Sequence, residues 1–381
     1  MSRRPSYLAC CALLSAAALL APSPPALAAG AAGAASAAKP AKVSGGGSST
    51  KGRAYAGRPE IAGFAAEVAG RRGLSRRWLE LQLRQAHRVE AVRKLIMPPP
   101  IGVAKNWAAY RERFIEPKRI AAGLAFWQDN ASWLAQAEER FGVPAEIVVG
   151  IIGVETFYGR ITGGFRIIDA LATLAFDFPA GRSDRSAFFR AELEEFFVFC
   201  AREGLDPQTL KGSYAGAIGL PQFMPSSINR DALDFDASGH IDLRGSIADV
   251  VGSVAQFLQR AGWQRGLPAR YDIEPPEAGE DRVALLAPDI LPSFSADQMA
   301  QRGAVLSAAG RLHAGPLALV ELHNGEQAPS HVAGTQNFYV LTRYNASSYY
   351  AMAVIELGAA VAAVRGARAS AATAEPAPPG R

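Results

Sequence analysis

The chain has 381 residues, 49% of them apolar, and its 40 lysines and arginines exceed 35 aspartates and glutamates to give a formal charge of +5. That length and apolar content suit two or three domains with a sizeable core. The mild charge comes without any Lys/Arg block interleaved with aromatics, which argues against a nucleic-acid partner. His87, His240, His313, His323 and His331 show no zinc spacing, and no Gly-x-Ser-x-Gly or phosphate-binding loop occurs.

Residues 1–28 read as an export leader. Arg3 and Arg4 start it, an apolar stretch runs from Leu8 to Leu20, and Ala26-Leu27-Ala28 offers a small-x-small cleavage site. Cys10 and Cys11 precede most of that stretch, whereas a lipid-modified cysteine should follow it. The expectation is a cleaved leader without lipid anchoring. Residues 29–58, mostly Ala, Gly, Ser and Lys, read as a flexible linker.

Helical spacing begins near Pro59, with Phe64, Val68, Leu74, Trp78, Leu79 and Leu83, and resumes at Trp107, Tyr110, Phe114 and Ile115. Met97-Pro98-Pro99-Pro100 separates the two runs. Pro117 and Pro144 can each open a further helix. Two more helices are expected at 185–202 and 246–260, and a last one at 349–364. Glu192, Glu194 and Glu195 should lie on the polar side of the 185–202 helix, and Asp169 should cap the helix after it. Cys200, in an apolar run, reads as a buried inert thiol. Between Tyr271 and Tyr344, short strands are expected at 283–286, 317–322 and 338–341. The tail 367–381 resembles the linker in composition. The fold class is therefore mainly α with a small β insertion (α+β).

In the apolar run 144–156, Glu155 is set apart from the only other charge, Glu146, by eight uncharged residues. On a helix its neighbours three and four residues away are Ile151, Ile152, Tyr158 and Gly159. A carboxylate held there loses hydration, so its proton affinity should rise, and it could act as a general acid near neutral pH. Gly150 and Gly153 on the same helix would let a neighbour approach closely. Farther on, Ser213-Tyr214-Ala215-Gly216-Ala217-Ile218-Gly219-Leu220-Pro221-Gln222-Phe223 is a Gly/Ala-rich turn where backbone can come close to a ligand. In the segment 234–242, Asp234, Asp236 and Ser238 alternate as oxygen donors, Gly239 follows, and the His240 carbonyl takes the next ligand place. That is the front half of an EF-hand loop, with Gly245 where the closing glutamate should be. A calcium site and a metal-free Asx-turn both remain open.

Gly153-Val154-Glu155-Thr156 with Tyr158-Gly159-Arg160, the turn from Ser213 to Ser227, and Thr342-Arg343-Tyr344-Asn345 followed by Tyr349-Tyr350-Ala351-Met352 form an ordered set. In order and spacing it closely resembles the lytic murein transglycosylase B family, the family-3 lytic transglycosylases. Tyr110-Arg111-Glu112-Arg113-Phe114-Ile115 and Asp169-Ala170-Leu171-Ala172-Thr173-Leu174 extend the likeness over roughly residues 59–365.

The resemblance implies a helical domain at 59–135, a lysozyme-like core at 136–266 completed by 336–366, and a small β domain at 267–335. It implies that Glu155 is catalytic and that Ser213, Gln222, Tyr344, Asn345, Tyr350 and Arg185 bind glycan. Ser213 and Gln222 would hydrogen-bond amide and hydroxyl groups of an N-acetylated sugar; from the residues alone, local capping is as good a reading. It also implies Asp249 as the late ligand of a structural Ca2+ held by Asp234, Asp236, Ser238 and His240, with no cofactor needed for the chemistry. Two places depart from the family: Asp184 stands where a basic pair with Arg185 is expected, and Phe257 where a tyrosine is expected.

Hydrolytic glycosidases position two carboxylates, and no second acid here has a setting like that of Glu155. The resemblance implies that Glu155 acts as acid and then base in a non-hydrolytic cleavage of peptidoglycan, leaving 1,6-anhydromuramyl ends. Peptidoglycan strands and other cell-wall enzymes are the implied partners, and the periplasm the implied location. A hydrolytic muramidase and a non-catalytic peptidoglycan-binding scaffold are the alternatives.

Overall fold

The structure, a computed structural model, describes residues 53–98 and 105–374. The expected leader, Cys10 and Cys11 and most of the linker lie outside the described residues, as does the end of the tail.

α1 (Pro59–Arg72) starts on a proline and closes on Gly73 in the left-handed region (φ 68°). α2 (Arg76–Arg84) is capped by Ser75, whose hydroxyl accepts from Trp78 N. α3 (Glu90–Leu95) and α4 (Trp107–Arg111) are short, and Asn106 caps α4. α5 (Pro117–Asp129) and α6 (Ala131–Phe141) lead into α7 (Ala145–Thr156), the helix of Glu155. β1 (Phe165–Arg166) precedes α8 (Ile167–Phe176) and α9 (Ser186–Arg202). β2 (Lys211–Gly212) pairs antiparallel with β1. α10 (Pro225–Asp231) and α11 (Ile247–Arg260) complete the central helices.

The next segment builds a lobe of its own. It runs through β3 (Arg270–Glu274), α12 (Glu280–Leu286), α13 (Ala296–Gln301), β4 (Val305–Leu306), α14 (Ala308–Arg311), β5 (Ala318–Asn324) and β6 (Gln327–Gly334). The four strands form an antiparallel sheet in the order β4-β3-β6-β5. Ile273, Leu285, Met299, Leu306, Leu317 and Leu319 form a small core separate from the main one. α15 (Gln336–Tyr344) and α16 (Ser348–Ala374) return the chain to the helical body.

Two of the expected strands are helical: 283–286 falls in α12 and 338–341 in α15. Four apolar residues in a row carry no period, so their flanks decide. Glu280 and Asp281 occupy the first turn of α12, where acids favour a helix start, and the Thr335 hydroxyl accepts from Asn337 N to cap α15. The helix of 349–364 also continues to Ala374, past the expected start of the tail.

The main core is one contiguous cluster that takes in the helices of 59–135 as well as those that follow. Residues 53–58 are already ordered on it: Tyr55 is fully buried, and its hydroxyl donates to Asp177 at 2.7 Å. Arg58 pairs with the same carboxylate at 2.8 Å. Residues 53–58 therefore do not belong to the expected linker, because one tyrosine and one arginine have specific partners. Asp169 does not cap its helix as expected: it lies in the first turn of α8, which has no side-chain cap, and it holds the N-terminal helices instead. It accepts from His87 N at 2.8 Å and pairs with Arg166.

α7 lies at the centre of this cluster, with every residue from Ile147 to Val154 buried. Full burial of Ile151 and Ile152 contributes roughly 1.5–3 kcal/mol each. Its close neighbour is α16. A Cβ on Gly150 would collide with the Val354 carbonyl, and one on Gly358 would collide with the Glu146 carbonyl, so the two backbones touch reciprocally. Residues 348–368 are long and apolar enough to cross a membrane. In this fold their apolarity is used against α7, with Tyr350, Val354, Leu357 and Val361 fully buried.

Candidate active site

Glu155 sits in the last turn of α7, at the edge of the core. The helix stops at Thr156, one residue after Glu155, so Tyr158 and Gly159 lie beyond it and are not the helical neighbours expected. The ring that meets the carboxyl comes from α16: Tyr350 Oη donates to Glu155 Oε1 at 2.8 Å. Glu155 Oε2 is buried and has no partner among the described residues. Burial is the dominant influence, and with the smaller opposing effect of the Tyr350 bond it pushes the carboxyl up to about 8 from 4.5. At neutral pH the group is therefore mostly protonated and can donate a proton. Among the described residues no second carboxylate perturbs it.

The end of α7 is unusual. Phe157 (φ 52°) and Tyr158 (φ 57°) are consecutive non-glycine residues in the left-handed region. Such conformations cost about 1–3 kcal/mol each and persist only where surroundings enforce them. Thr156 ties this end to the Gly-rich turn, its hydroxyl donating to the Leu220 carbonyl at 3.0 Å and accepting from Gly159 N.

That turn is a tight hairpin in which Ile218 and Phe223 exchange backbone bonds at 2.8 and 3.1 Å. Gly216 and Gly219 have positive φ, and a Cβ would collide with Leu171 at the first and with the Leu243 carbonyl at the second. Gln222, also left-handed (φ 51°), is buried, and its amide nitrogen donates to the Thr162 and Gly219 carbonyls at 3.1 and 2.8 Å. Its amide oxygen accepts no hydrogen bond among the described residues. Ser213 Oγ accepts from Ala215 N and Ala217 N at 3.3 and 3.0 Å, which leaves its hydroxyl hydrogen to donate. Both residues brace the turn and still keep one polar function.

An aromatic wall closes the other side. Tyr344 stacks on Tyr350 with ring centroids 6.1 Å apart, and its hydroxyl donates to the Pro221 carbonyl at 2.5 Å. Phe257 meets the Tyr344 ring edge-on at 4.9 Å. A ring without a hydroxyl therefore keeps the packing and gives up a polar contact at that place. Asn345 ends α15, buried, and its side-chain amide makes no hydrogen bond among the described residues. The structure thus gathers Glu155, Gln222, Tyr344 and Tyr350 in one cluster, with Ser213 on the attached hairpin. Arg185 stands at the start of α9, its guanidinium over the Phe188 and Phe189 rings at 4.5 and 5.6 Å and beside the Arg182 charge, which also acts on Tyr214 next to Ser213.

Some participants were not singled out from the sequence. Burial and the Glu155 charge raise the Tyr110 hydroxyl to about 12, so this tyrosine of α4 faces the same carboxyl. It stood inside a quoted motif but carried no signal of its own. Glu192 and Glu194, expected on a solvated face, are buried. Glu192 accepts from Ser226 N and Oγ at 2.9 and 2.6 Å, and Glu194 pairs with Arg71 and Arg72. Partners distant in sequence reverse the reading from helix periodicity. Cys200 is buried, and burial pushes its thiol up well beyond the ordinary range.

In the acidic loop, Asp234, Asp236 and Asp249 bring carboxylate oxygens within 4.8 Å of one another. Ser238 Oγ donates to the His240 carbonyl at 3.2 Å, placing both at the same loop. Asp249 has no exposed surface and reaches over from α11 to accept from Phe235 N and Asp242 N, both at 2.8 Å. Burial, and then the neighbouring Asp236 and Asp234 charges, raise its proton affinity. Hard oxygen donors in mutual repulsion fit a divalent cation of the calcium type.

A family profile described as the transglycosylase SLT domain matches residues 56–359. The chain belongs to this family. It is 38% identical over 328 residues to the membrane-bound lytic murein transglycosylase B of Escherichia coli K12, a span of 82% of this chain and 85% of that relative. Among solved structures, soluble lytic transglycosylase SltB1 from Pseudomonas aeruginosa is 39% identical with a TM-score of 0.72, covering 81% of this chain and 100% of that one. E. coli Slt35, solved in complex with calcium, is 37% identical with the same TM-score, covering 83% and 96%. SltB3 from P. aeruginosa, solved with NAG-anhNAM-pentapeptide, is 27% identical with a TM-score of 0.67, covering 78% and 77%. The chain is thus a lytic murein transglycosylase, a peptidoglycan-cleaving lyase with the lysozyme-like helical fold.

Proposed function

We propose that Glu155 alone performs both proton transfers, cutting the β-1,4 bond between N-acetylmuramic acid and N-acetylglucosamine. The observation that carries this reading is the solitude of the carboxyl: burial and one tyrosine are all that tune it. Protonated Glu155 gives its proton to the bridging oxygen as the bond to the anomeric carbon breaks. The neighbouring acetamido group stabilises positive charge at that carbon. Glu155, now ionised, takes the proton of the muramyl six-hydroxyl as that oxygen bonds to the anomeric carbon. The product is a 1,6-anhydromuramyl end, Glu155 is again protonated, and no water is consumed.

Gln222 Oε1, the Ser213 hydroxyl and the Asn345 amide would bind the sugar's amide and hydroxyl groups, with Tyr344 and Tyr350 as the wall. Arg185 is assigned to the same glycan strand by the family likeness. Digesting isolated sacculi and analysing products by mass spectrometry tests the reading. Anhydromuramyl ends are expected; reducing ends alone would replace it with a hydrolytic muramidase.

Asp234, Asp236, Ser238, the His240 carbonyl and Asp249 would hold a Ca2+ whose contribution is charge neutralisation, tying the loop to α11. A calcium-chelated sample should melt several degrees lower than a calcium-loaded one, with the cleavage products unchanged. The likeness to a membrane-bound murein enzyme supports work on the cell wall from the periplasm. Export through a cleaved leader, without lipid anchoring, is our reading of residues 1–28.

A further inference from the structure

Arg119 on α5 is half-buried beneath the end of α7 and forms no ion pair among the described residues. Its Nη1 donates to the Gly153 carbonyl at 2.6 Å. Its guanidinium carbon lies over two rings, 4.4 Å from the Phe157 centroid and 5.1 Å from that of Phe114. Its Nε is buried without a partner among the described residues. Next to it, the Tyr158 ring is wedged between helices: a Cβ on Gly123 of α5 or on Gly153 of α7 would strike its hydroxyl. Gly153 and Phe157 are the residues two before and two after Glu155. A half-buried cation without an ion pair is costly, and contact with two ring faces plus a carbonyl bond is the compensation that arginine can use and lysine cannot reproduce.

We propose that Arg119 is a positioning residue for the cleavage: by gripping the Gly153 carbonyl and the Phe157 ring on either side of Glu155, it holds the left-handed end of α7 that aims the carboxyl. This rests on Glu155 being the acid. Arg119 does not touch the substrate. It fixes two consecutive strained residues, and through them the direction in which the carboxyl leaves the helix toward Tyr350. Without it the last turn can relax, letting solvent reach the carboxyl.

The test compares wild type, Arg119→Met, Arg119→Lys and Glu155→Gln on soluble glycan strands, with circular dichroism and melting of each. Arg119→Met is expected to lower kcat 10- to 100-fold with KM within twofold. The alkaline limb of its kcat/KM profile, which reports the free-enzyme carboxyl, should move to lower pH as Glu155 becomes hydrated. Tyr350, Tyr344 and Tyr110 face that carboxyl and are unaltered in these variants. Arg119→Lys should recover only part of kcat. An unchanged kcat in Arg119→Met overturns the inference, and so does a loss of rate with the alkaline limb unmoved, since that marks a purely structural role. If Arg119→Met does not fold, Phe157→Leu decides: it should shift the limb in the same direction, and no shift overturns the inference. A Glu155→Gln variant that cleaves at the wild-type rate would instead remove the reading of Glu155 itself.

Discussion

Two buried carboxyls, Glu155 at the end of α7 and Glu192 in α9, both bind their protons more tightly than an exposed glutamate, and in both burial is the main cause. They differ in what surrounds them. Both oxygens of Glu192 are occupied, by the Ser226 backbone N–H and hydroxyl. One oxygen of Glu155 has the Tyr350 hydroxyl and the other has nothing among the described residues. A raised proton affinity is thus common to a structural and a reactive carboxyl. The unsatisfied oxygen beside an aromatic wall with free amide groups is what sets the reactive one apart.

The largest effect should come from Glu155→Gln, which keeps shape and removes the transferable proton. Loss of a general acid and base should lower kcat by about 10²–10⁴-fold, measured as release of soluble muropeptides. The same variant should be relatively more stable at alkaline pH. Folded Glu155 holds its proton up to about pH 8, and the unfolded group only to about 4.5. Its stabilising protonation is therefore complete below 4.5 and lost as pH rises to about 8, at up to about 1.4 kcal/mol per pH unit. Denaturant titrations of both proteins across that window should diverge; parallel curves would mean that the carboxyl is hydrated.

Tyr350→Phe should have an intermediate effect. Its hydroxyl lowers the Glu155 proton affinity by bonding to the ionised form, so the alkaline limb of kcat/KM should move upward in pH, with a rate loss of about tenfold. The smallest effect should come from Glu192→Gln. Its amide can accept from Ser226 N and donate to Ser226 Oγ, so kcat should stay within about twofold, and Glu192→Ala should cost about 1–3 kcal/mol in stability through the orphaned N–H. A large loss of activity in Glu192→Gln would erase the distinction between the two sites.

Glu155 was legible because it interrupts an apolar helical run, and the acidic loop because Asp234, Asp236 and Ser238 alternate within five residues. The helix starts at Pro59 and Pro117 were marked by their prolines. What the sequence could not display is pairing at long range. Tyr350 is 195 residues from Glu155, and Ser226 is 34 from Glu192. Lacking the second pair, periodicity assigned Glu192 to the surface. Four-residue apolar runs such as 283–286 and 338–341 carry no period, so only their flanking residues distinguish helix from strand. The left-handed end of α7 had no signal at all, because Phe and Tyr are residues that avoid this conformation unless packing imposes it.

The reciprocal glycine contact between α7 and α16 has a consequence for the order of assembly. Tyr350, the Val354 carbonyl that receives Gly150, and Gly358 against Glu146 all belong to the final stretch of the chain. A chain emerging N-terminus first presents Glu155 some two hundred residues before the helix that seats it. Until that helix arrives, the acid lacks its hydroxyl partner and the wall that keeps it dry. The site is therefore incomplete until α16 docks on α7.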